Sequence, residues 1–326
     1  MTPLAERLRP TTLDQYIGQQ HLVGPGAPLR RMIEQKRVSS FILWGPPGVG
    51  KTTLASIVAK ALDAPFYTLS AVQSGVKEVR EAIDNAAKNR FFQQASPILF
   101  IDEIHRLNRS VEEILYPAME DYAIDIMIGK GQGAKSIRLE LPPFTLIGAT
   151  TRAGNLSAPL RSRFGISEKL DYYNIDECIK IVKRTAKVFN TTIDDVAALE
   201  IAKRSRGTPR IANRLFKRVR DFANFNGTDN ITYNDAINAL KALKVDDIGL
   251  DDVDIRYLKT LIERFNGGPV GLETLASAIG EEITNLEDVY EPYLIQIGFI
   301  DRTPRGRMAS SKAYKHLKIS HQETLL

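Results

Sequence analysis

The sequence predicts an α/β protein: a parallel sheet wrapped by helices, followed by a small helical domain and a compact C-terminal module. Three observations carry this. Short apolar, β-prone runs alternate with helical stretches through the first half. A glycine-rich turn, "GPPGVGKT", joins one of those runs to a helix. From Asp176 onward the apolar spacing becomes helical, with short polar turns between the segments. The expected divisions are 1–175, 176–250 and 251–326.

In the first division, "SFILW" (40–44) reads as a short buried strand and Thr52–Leu62 as the helix after the glycine-rich turn. "FYTLS" (66–70) is a second strand, and the spacing predicts a helix over Val76–Asn89. "ILFID" (98–102) follows Pro97 as a buried strand, and a helix capped by Ser110 runs to Asp121. "FTLIGAT" (144–150) is another β-rich run. Between Ile124 and Leu139, two β-prone arms flank a Gly/Lys/Gln tip and predict a hairpin.

The second division gives helices over 176–189, 194–204, 208–225 and 232–243. "VDDIGLDDVD" (245–254) carries five aspartates and reads as a linker. Helices Ile255–Phe265, Leu272–Ile279 and Thr284–Ile297 follow. "GFIDRTPRGRMAS" then reads as a strand–turn–strand with Pro304–Arg305–Gly306 at its tip. Three helices and a basic hairpin are the pattern of a winged helix.

Composition narrows the class. Apolar content of 43% and charged content of 25% are those of a folded globular chain. No apolar run approaches the roughly 20 residues of a membrane span, and "MTPLAERLRP" lacks a signal peptide's apolar core. The single cysteine, Cys178, cannot form an internal disulfide. A cytoplasmic location is expected. A formal charge of +5 is compatible with nucleic acid without establishing it.

"GPPGVGKT", Gly45–Thr52, fits the phosphate-loop pattern G-x-x-x-x-G-K-[ST] in its proper place between strand and helix. Its glycines let backbone N–H groups turn toward phosphate oxygens. Lys51 supplies a point charge to the β and γ phosphates, and the Thr52 hydroxyl is a Mg²⁺ ligand. Asp102 and Glu103 end a buried strand, where a carboxylate is costly unless compensated. Asp102 is therefore expected to meet Mg²⁺, and Glu103 to orient and polarise the attacking water. Both carboxylates could instead merely cap the following helix.

Arg302, Arg305 and Arg307 surround the Pro–Arg–Gly turn and suit sequence-independent phosphate contacts. Arg210, Arg214, Lys217 and Arg218 recur at helical spacing and read mostly as a solvated face. His105 reads as packing or signalling geometry, and Cys178 as structural. No Cys/His cluster has metal spacing.

From Ile98 to its end, the chain resembles the RuvB family of AAA+ ATPases, the Holliday-junction branch migration motors. The resemblance rests on "FIDEIHRL", "LYPAMEDY", "DIMIGKG", "PFTLIGATTRAG", "SAPLRSRFGI", "RGTPRIANRL", "DVYEPYLIQ" and "RTPRGRMA". Upstream, "PLAERLRPTTLDQYIGQQHLVGPGAPL" and "FYTLSAVQSGVKEVREAIDNAAKNR" resemble RarA (also called MgsA), a related replication-fork ATPase. "ILFIDEIHR" is nearly common to both, so the two resemblances meet there. A joined chain would account for the pattern.

The RuvB resemblance implies ATP or ADP with Mg²⁺ as cofactors, a hexameric ring, DNA as partner and no membrane. It places Leu8 and Arg9 against the nucleotide base, and Gly48, Gly50, Lys51, Thr52 and Thr53 around the phosphates. Thr151 (or Thr150) would sense the γ-phosphate. Arg163, with Arg161 as second choice, would be an arginine finger acting on a neighbouring subunit. Tyr173, Arg210 and the segment Glu120, Asp121 and Tyr122 fall at the nucleotide site, and Arg302 and Arg307 on DNA. The Ile124–Leu139 hairpin would meet RuvA. The expected function is ATP-driven branch migration. A RarA-like fork ATPase and a clamp-loader-like switch without translocation are the alternatives.

Overall fold

The computed structural model describes residues 4–72, 96–128, 135–225 and 227–320, together with Glu78 and Glu81. The helix expected over Val76–Asn89 lies, apart from those two glutamates, outside the described residues. The chain forms two compact units, Met1–Tyr173 and Asn174–Leu326.

In the first unit, β1 (Phe41–Trp44), β2 (Phe66–Ser70), β3 (Ile98–Asp102), β6 (Thr145–Thr150) and β7 (Ile166–Lys169) form one sheet. Its order is β2-β3-β6-β1-β7, and every pairing is parallel. Parallel neighbours need crossover connections, which put helices over the faces and leave the inner strands apolar throughout. Accordingly, Ile98 to Ile101 and Phe41 to Leu43 are all buried. One face packs Ile42, Leu99, Ile101 and Leu146 against Val111 and Leu115 of helix Arg109–Glu120 and Leu160 of helix Ala158–Arg163. Helix Lys51–Ala61 lies against β3 and β6.

Two details depart from the sequence reading. Asn108, not Ser110, caps helix Arg109–Glu120; its side chain accepts the Val111 N–H at 2.9 Å while the Ser110 hydroxyl donates to it. Strand β7 lies outside the sequence reading, because "ISEK" is short, has a single apolar residue and is exposed on one face. Apart from this sheet, β4 (Ala123–Ile128) and β5 (Lys135–Glu140) make the expected antiparallel hairpin, whose tip lies outside the described residues.

The second unit begins with helices Ile175–Val188, Asp195–Lys203, Pro209–Phe225 and Tyr233–Ala242. A short pair, β8 (Thr192–Ile193) and β9 (Asn230–Ile231), ties two of their connections together. Helices Asp252–Lys259 and Leu272–Ile279 follow, then Glu291–Gln296, the antiparallel pair β10 (Ile300–Thr303) and β11 (Gly306–Ala309), and helix Ser311–Leu317.

The helix expected over Thr284–Ile297 is broken by a π turn at Leu286–Tyr290. Pro292 has no N–H for the preceding turn, which gives the widened turn a physical cause. Helix Ser311–Leu317 was not foreseen, yet Ala313 and Tyr314 belong to this unit's core with Tyr257, Leu261 and Leu294.

Residues 245–254, read as a linker, are packed: Leu250 and Asp254 are fully buried. The Asp246 carboxylate accepts the N–H groups of Ile248 and Leu250 at 3.1 and 2.7 Å, and Asp251 caps helix Asp252–Lys259. The aspartates staple a tight joint. Composition misread it because a carboxylate that accepts local backbone N–H groups looks, in sequence, like one that faces water.

Candidate functional site

The glycine-rich turn leaves β1 between the exits of β6 and β7. Gly45 N–H donates to the Thr150 carbonyl at 3.2 Å, and Leu170 N–H to the Trp44 carbonyl at 2.8 Å. Gly45 has φ 144°, and a Cβ there would stand 2.3 Å from the Leu170 carbonyl oxygen, so only glycine fits. Gly48 (φ 80°) and Gly50 (φ 104°) continue the left-handed path into the N-terminus of helix Lys51–Ala61. Helix N-termini of this kind present backbone N–H groups and the positive end of the dipole to an anion. Lys51 is buried, its ammonium donating to the carbonyls of Gly45 and Pro46 at 2.9 Å each. Thr52 and Thr53 are partly buried on the first helical turn.

The wall behind this loop joins Tyr173, which the resemblance placed at the nucleotide, to Tyr16 and Gln19, which sequence reasoning passed over. The Tyr16 hydroxyl lies 3.0 Å from where a Gly50 Cβ would be. Burial, and then neighbouring Tyr173, push the Tyr16 phenol well above its ordinary value. Tyr173 is itself buried and donates to the Val49 carbonyl at 3.1 Å. Gln19 exchanges two hydrogen bonds with the Asp171 backbone, at 2.7 and 2.9 Å. These contacts pin the N-terminal segment to the exit of β7. The "YIGQ" string gave no periodic signal that could have announced this. Leu8 is buried nearby in sequence, and Arg9 pairs with Glu6 at 3.3 Å.

Asp102 ends β3, and its carboxylate accepts the Glu103 N–H at 3.1 Å. Glu103 itself adopts φ 51°, a left-handed conformation unusual for a non-glycine residue. That turn carries its carboxylate to β6: the Thr151 hydroxyl donates to it at 3.2 Å, and His105 Nδ1 lies 3.3 Å away. His105 Nδ1 also lies 2.8 Å from the Thr150 hydroxyl. Glu103, Thr151, Thr150 and His105 thus form one connected cluster. The sequence leaves either threonine open; the structure binds both into the same network.

Arg163 has a different set of partners. It donates to the Pro159 carbonyl at 2.7 Å, pairs with Glu120 at 3.1 Å and stacks on the Tyr116 ring at 4.4 Å. Asp121 pairs with Arg138 of β5 at 2.5 Å, and Tyr122 packs edge-on against Phe144. The segment Glu120–Tyr122 is therefore brought to Arg163 and the hairpin. Arg210 belongs to the second unit, exposed on the first turn of helix Pro209–Phe225.

On the C-terminal hairpin, Arg302 and Arg307 face each other in register. Both converge on Glu291, which is fully buried: Arg302 Nε donates at 3.0 Å and Arg307 Nε at 2.8 Å. The Tyr257 hydroxyl donates to the same carboxylate at 2.9 Å. Burial alone would raise the Glu291 pKa, but the bonds from Arg307, Arg302 and Tyr257 together hold it below the ordinary value. Arg305 is exposed at the tip. Asp246, Asp247 and His316 bring three possible ligand atoms within 4.8 Å, but Asp246 already serves the joint, and its carboxylate lies 2.8 Å from His316 Nε2. We read that group as structural.

The chemistry of the first-unit residues fits a nucleoside triphosphate with a divalent ion. Left-handed glycines at a helix N-terminus and a buried lysine suit the phosphates; Thr52 and Asp102 are oxygen donors of the type a hard cation takes. Three family models match this chain. The model of the Holliday junction DNA helicase RuvB P-loop domain matches residues 8–170, so it also covers the segment whose strings resemble RarA. The RuvB AAA lid domain model matches residues 173–246, and the RuvB C-terminal winged helix domain model residues 247–318. Among solved structures, the Thermotoga maritima RuvB Holliday junction branch migration motor is 45% identical. The match covers 96% of this chain and 99% of that one, with a TM-score of 0.84. A proline-to-glycine mutant of the same Thermotoga protein matches at 46% identity, the same coverage and a TM-score of 0.85.

Proposed function

The chain belongs to the RuvB family of Holliday junction branch migration motors, which are AAA+ P-loop ATPases, and from that premise we propose that it works as a hexameric ring with RuvA. In this reading ATP binds at subunit interfaces, and hydrolysis moves branched duplex DNA without regard to its sequence.

Lys51 and the backbone of Gly48 and Gly50 hold the phosphates, with Thr53 beside them. Leu8, Arg9 and Tyr173 flank the base side. A Mg²⁺ ion held by Thr52 and Asp102 would neutralise charge on the phosphate oxygens. Glu103 orients and polarises the attacking water, and Thr151 ties it to the end of β6. Arg163 of one subunit stabilises the charge that spreads over the γ-phosphoryl of a neighbour. Arg210 reports nucleotide state to the second unit. Arg302 and Arg307 take duplex phosphates at the wing. The hairpin 124–139 offers RuvA an apolar surface, for Ile137 and Leu139 are exposed on β5. No described helix is long and apolar enough to cross a membrane, and a cytoplasmic location suits the proposed substrate.

The observation that carries the reading is the Glu103 cluster. The Glu103 carboxylate accepts a hydrogen bond from a hydroxyl at the end of β6, the strand that lies in the sheet between β3 and β1, and β1 leads into the phosphate loop. The test is migration of a synthetic four-way junction with purified RuvA. Glu103→Gln is expected to bind ATP within a few-fold of the parent while losing at least about 100-fold in turnover and all migration. Unchanged turnover in that variant, or ATP-dependent junction binding by the parent without migration, would reject the motor.

A further inference from the structure

Arg206 lies four residues before Arg210 in "RGTPR", in a backbone conformation (φ 54°) that few side chains adopt. Its side chain is almost wholly buried, and its hydrogen-bond, ion-pair and ring partners, Gly249, Asp251, Asp254 and Tyr293, belong to the segment leading into the winged helix or to that module itself. Nε donates to the Gly249 carbonyl at 2.8 Å, and the guanidinium lies over the Tyr293 ring at 5.0 Å. One terminal nitrogen makes a short ion pair with Asp254, with Asp251 at 3.6 Å beyond. Gly249 in turn rests on the same turn: a Cβ there would stand 2.5 Å from the Arg204 carbonyl oxygen.

Asp254 is fully buried on the first turn of helix Asp252–Lys259 and also accepts the Asp251 N–H at 2.8 Å. One turn further along, Tyr257 bonds to Glu291, which holds Arg302 and Arg307. Tyr293, two residues past Glu291, closes the circuit by donating to the Ile248 carbonyl. Two helices thus carry both ends of a buried polar line, from the Arg210 turn to the wing arginines.

We propose that the Arg206–Asp254 pair is the joint through which the Arg210 turn moves the DNA-holding wing, making both of them positioning residues. The proposal rests on the reading that Arg210 senses nucleotide and that the wing holds DNA. Stability alone gives a poor account of the pair. Burial raises the Asp254 pKa to about 7 even with Arg206 opposing it. An apolar pair of similar volume commonly serves a core as well or better. What two apolar side chains cannot supply is a fixed direction, and a joint that transmits movement needs one.

The experiment uses the full chain and the double variant Arg206→Met/Asp254→Leu, which leaves no buried charge without a partner. Asp254→Asn is the single-site companion. Amide hydrogen exchange is read in ADP and in a non-hydrolysable ATP analogue, and ATP turnover with and without junction DNA. In the parent, the analogue is expected to change exchange at the turn 205–212, in helix 252–259 and in the wing 300–309. In the double variant the turn still responds while helix and wing do not. Turnover without DNA stays within about twofold, and stimulation by DNA falls at least about fivefold.

A folded double variant whose wing still responds would overturn the joint. So would a parent in which the turn responds and the wing does not. A double variant that fails to fold overturns it too, since the proposed role is separable from the fold. A parent whose turn ignores nucleotide instead rejects the sensor reading beneath it.

Discussion

Glu291 shows how much one side chain can organise. It is a fully buried carboxylate that accepts bonds from Arg302, Arg307 and Tyr257, and without them its charge would be untenable. Removing one member of such a group leaves the others unpaired, which costs about 3 kcal/mol in comparable sites. Its folded pKa is held below the ordinary glutamate value, so the unfolded chain takes up the proton first. The stabilisation is therefore complete above the ordinary glutamate range and is lost as pH falls through the depressed folded value. In an acid titration of the melting temperature, the parent should lose stability more steeply than Glu291→Gln, which starts lower and changes less. Parallel curves would mean that the carboxylate is not charged in the folded protein.

Residues of this kind mark where sequence reading stopped. Lys51, Thr52, Asp102 and Glu103 were legible because each belongs to a pattern whose spacing is set by its chemistry. Arg302 and Arg307 were legible as a basic pair, but their buried partner was not. Glu291 lies eleven residues away on another element, and nothing local distinguishes it from a solvated glutamate. Tyr16 and Gln19 were missed as participants for the same reason, and His105, read as packing or signalling geometry, shows its partners Thr150 and Glu103 only in the fold. Each gains its meaning from a backbone or side chain brought near only by the fold.

Among the elements, the phosphate loop is the one whose geometry is least forgiving. β1, β6 and β7 end side by side, and Gly45 passes between them with no room for a Cβ. Gly45→Ala would force both a rare φ and a clash with backbone, and should cost roughly 1–3 kcal/mol. ATP affinity should drop with it, because the loop cannot keep its path. A Cβ added at Gly154 would meet nothing within 4 Å, so that position serves as the control. Gly154→Ala should stay within about 0.5 kcal/mol. Equal melting temperatures and equal ATP affinity for the two variants would refute the argument. Elements with a strong apolar period, such as Leu272–Ile279 or Pro209–Phe225, were readable to within a residue or so. Strand β7 and the aspartate-rich joint were not, for their burial depends on neighbours distant in sequence.

At the scale of the whole molecule, the question is whether one chain can finish its own chemistry. Arg163 is held within its own unit by Glu120, Pro159 and Tyr116, a different set of residues from the Thr151, His105 and Thr150 that cluster with Glu103. A cation needed at the γ-phosphoryl and supplied by a neighbour makes hydrolysis a property of the assembly. ATP turnover per subunit should then rise with protein concentration and level off once rings form. Arg163→Ala should keep ATP affinity within a few-fold and lose about 10³-fold in turnover at saturating concentration. Mixing it with Glu103→Gln should restore part of the activity. At an interface where a Glu103→Gln subunit lends its Arg163 to an Arg163→Ala neighbour that retains Glu103, a complete site exists again. Turnover that is independent of concentration, with no loss in Arg163→Ala and no rescue on mixing, would place the whole reaction within a single subunit.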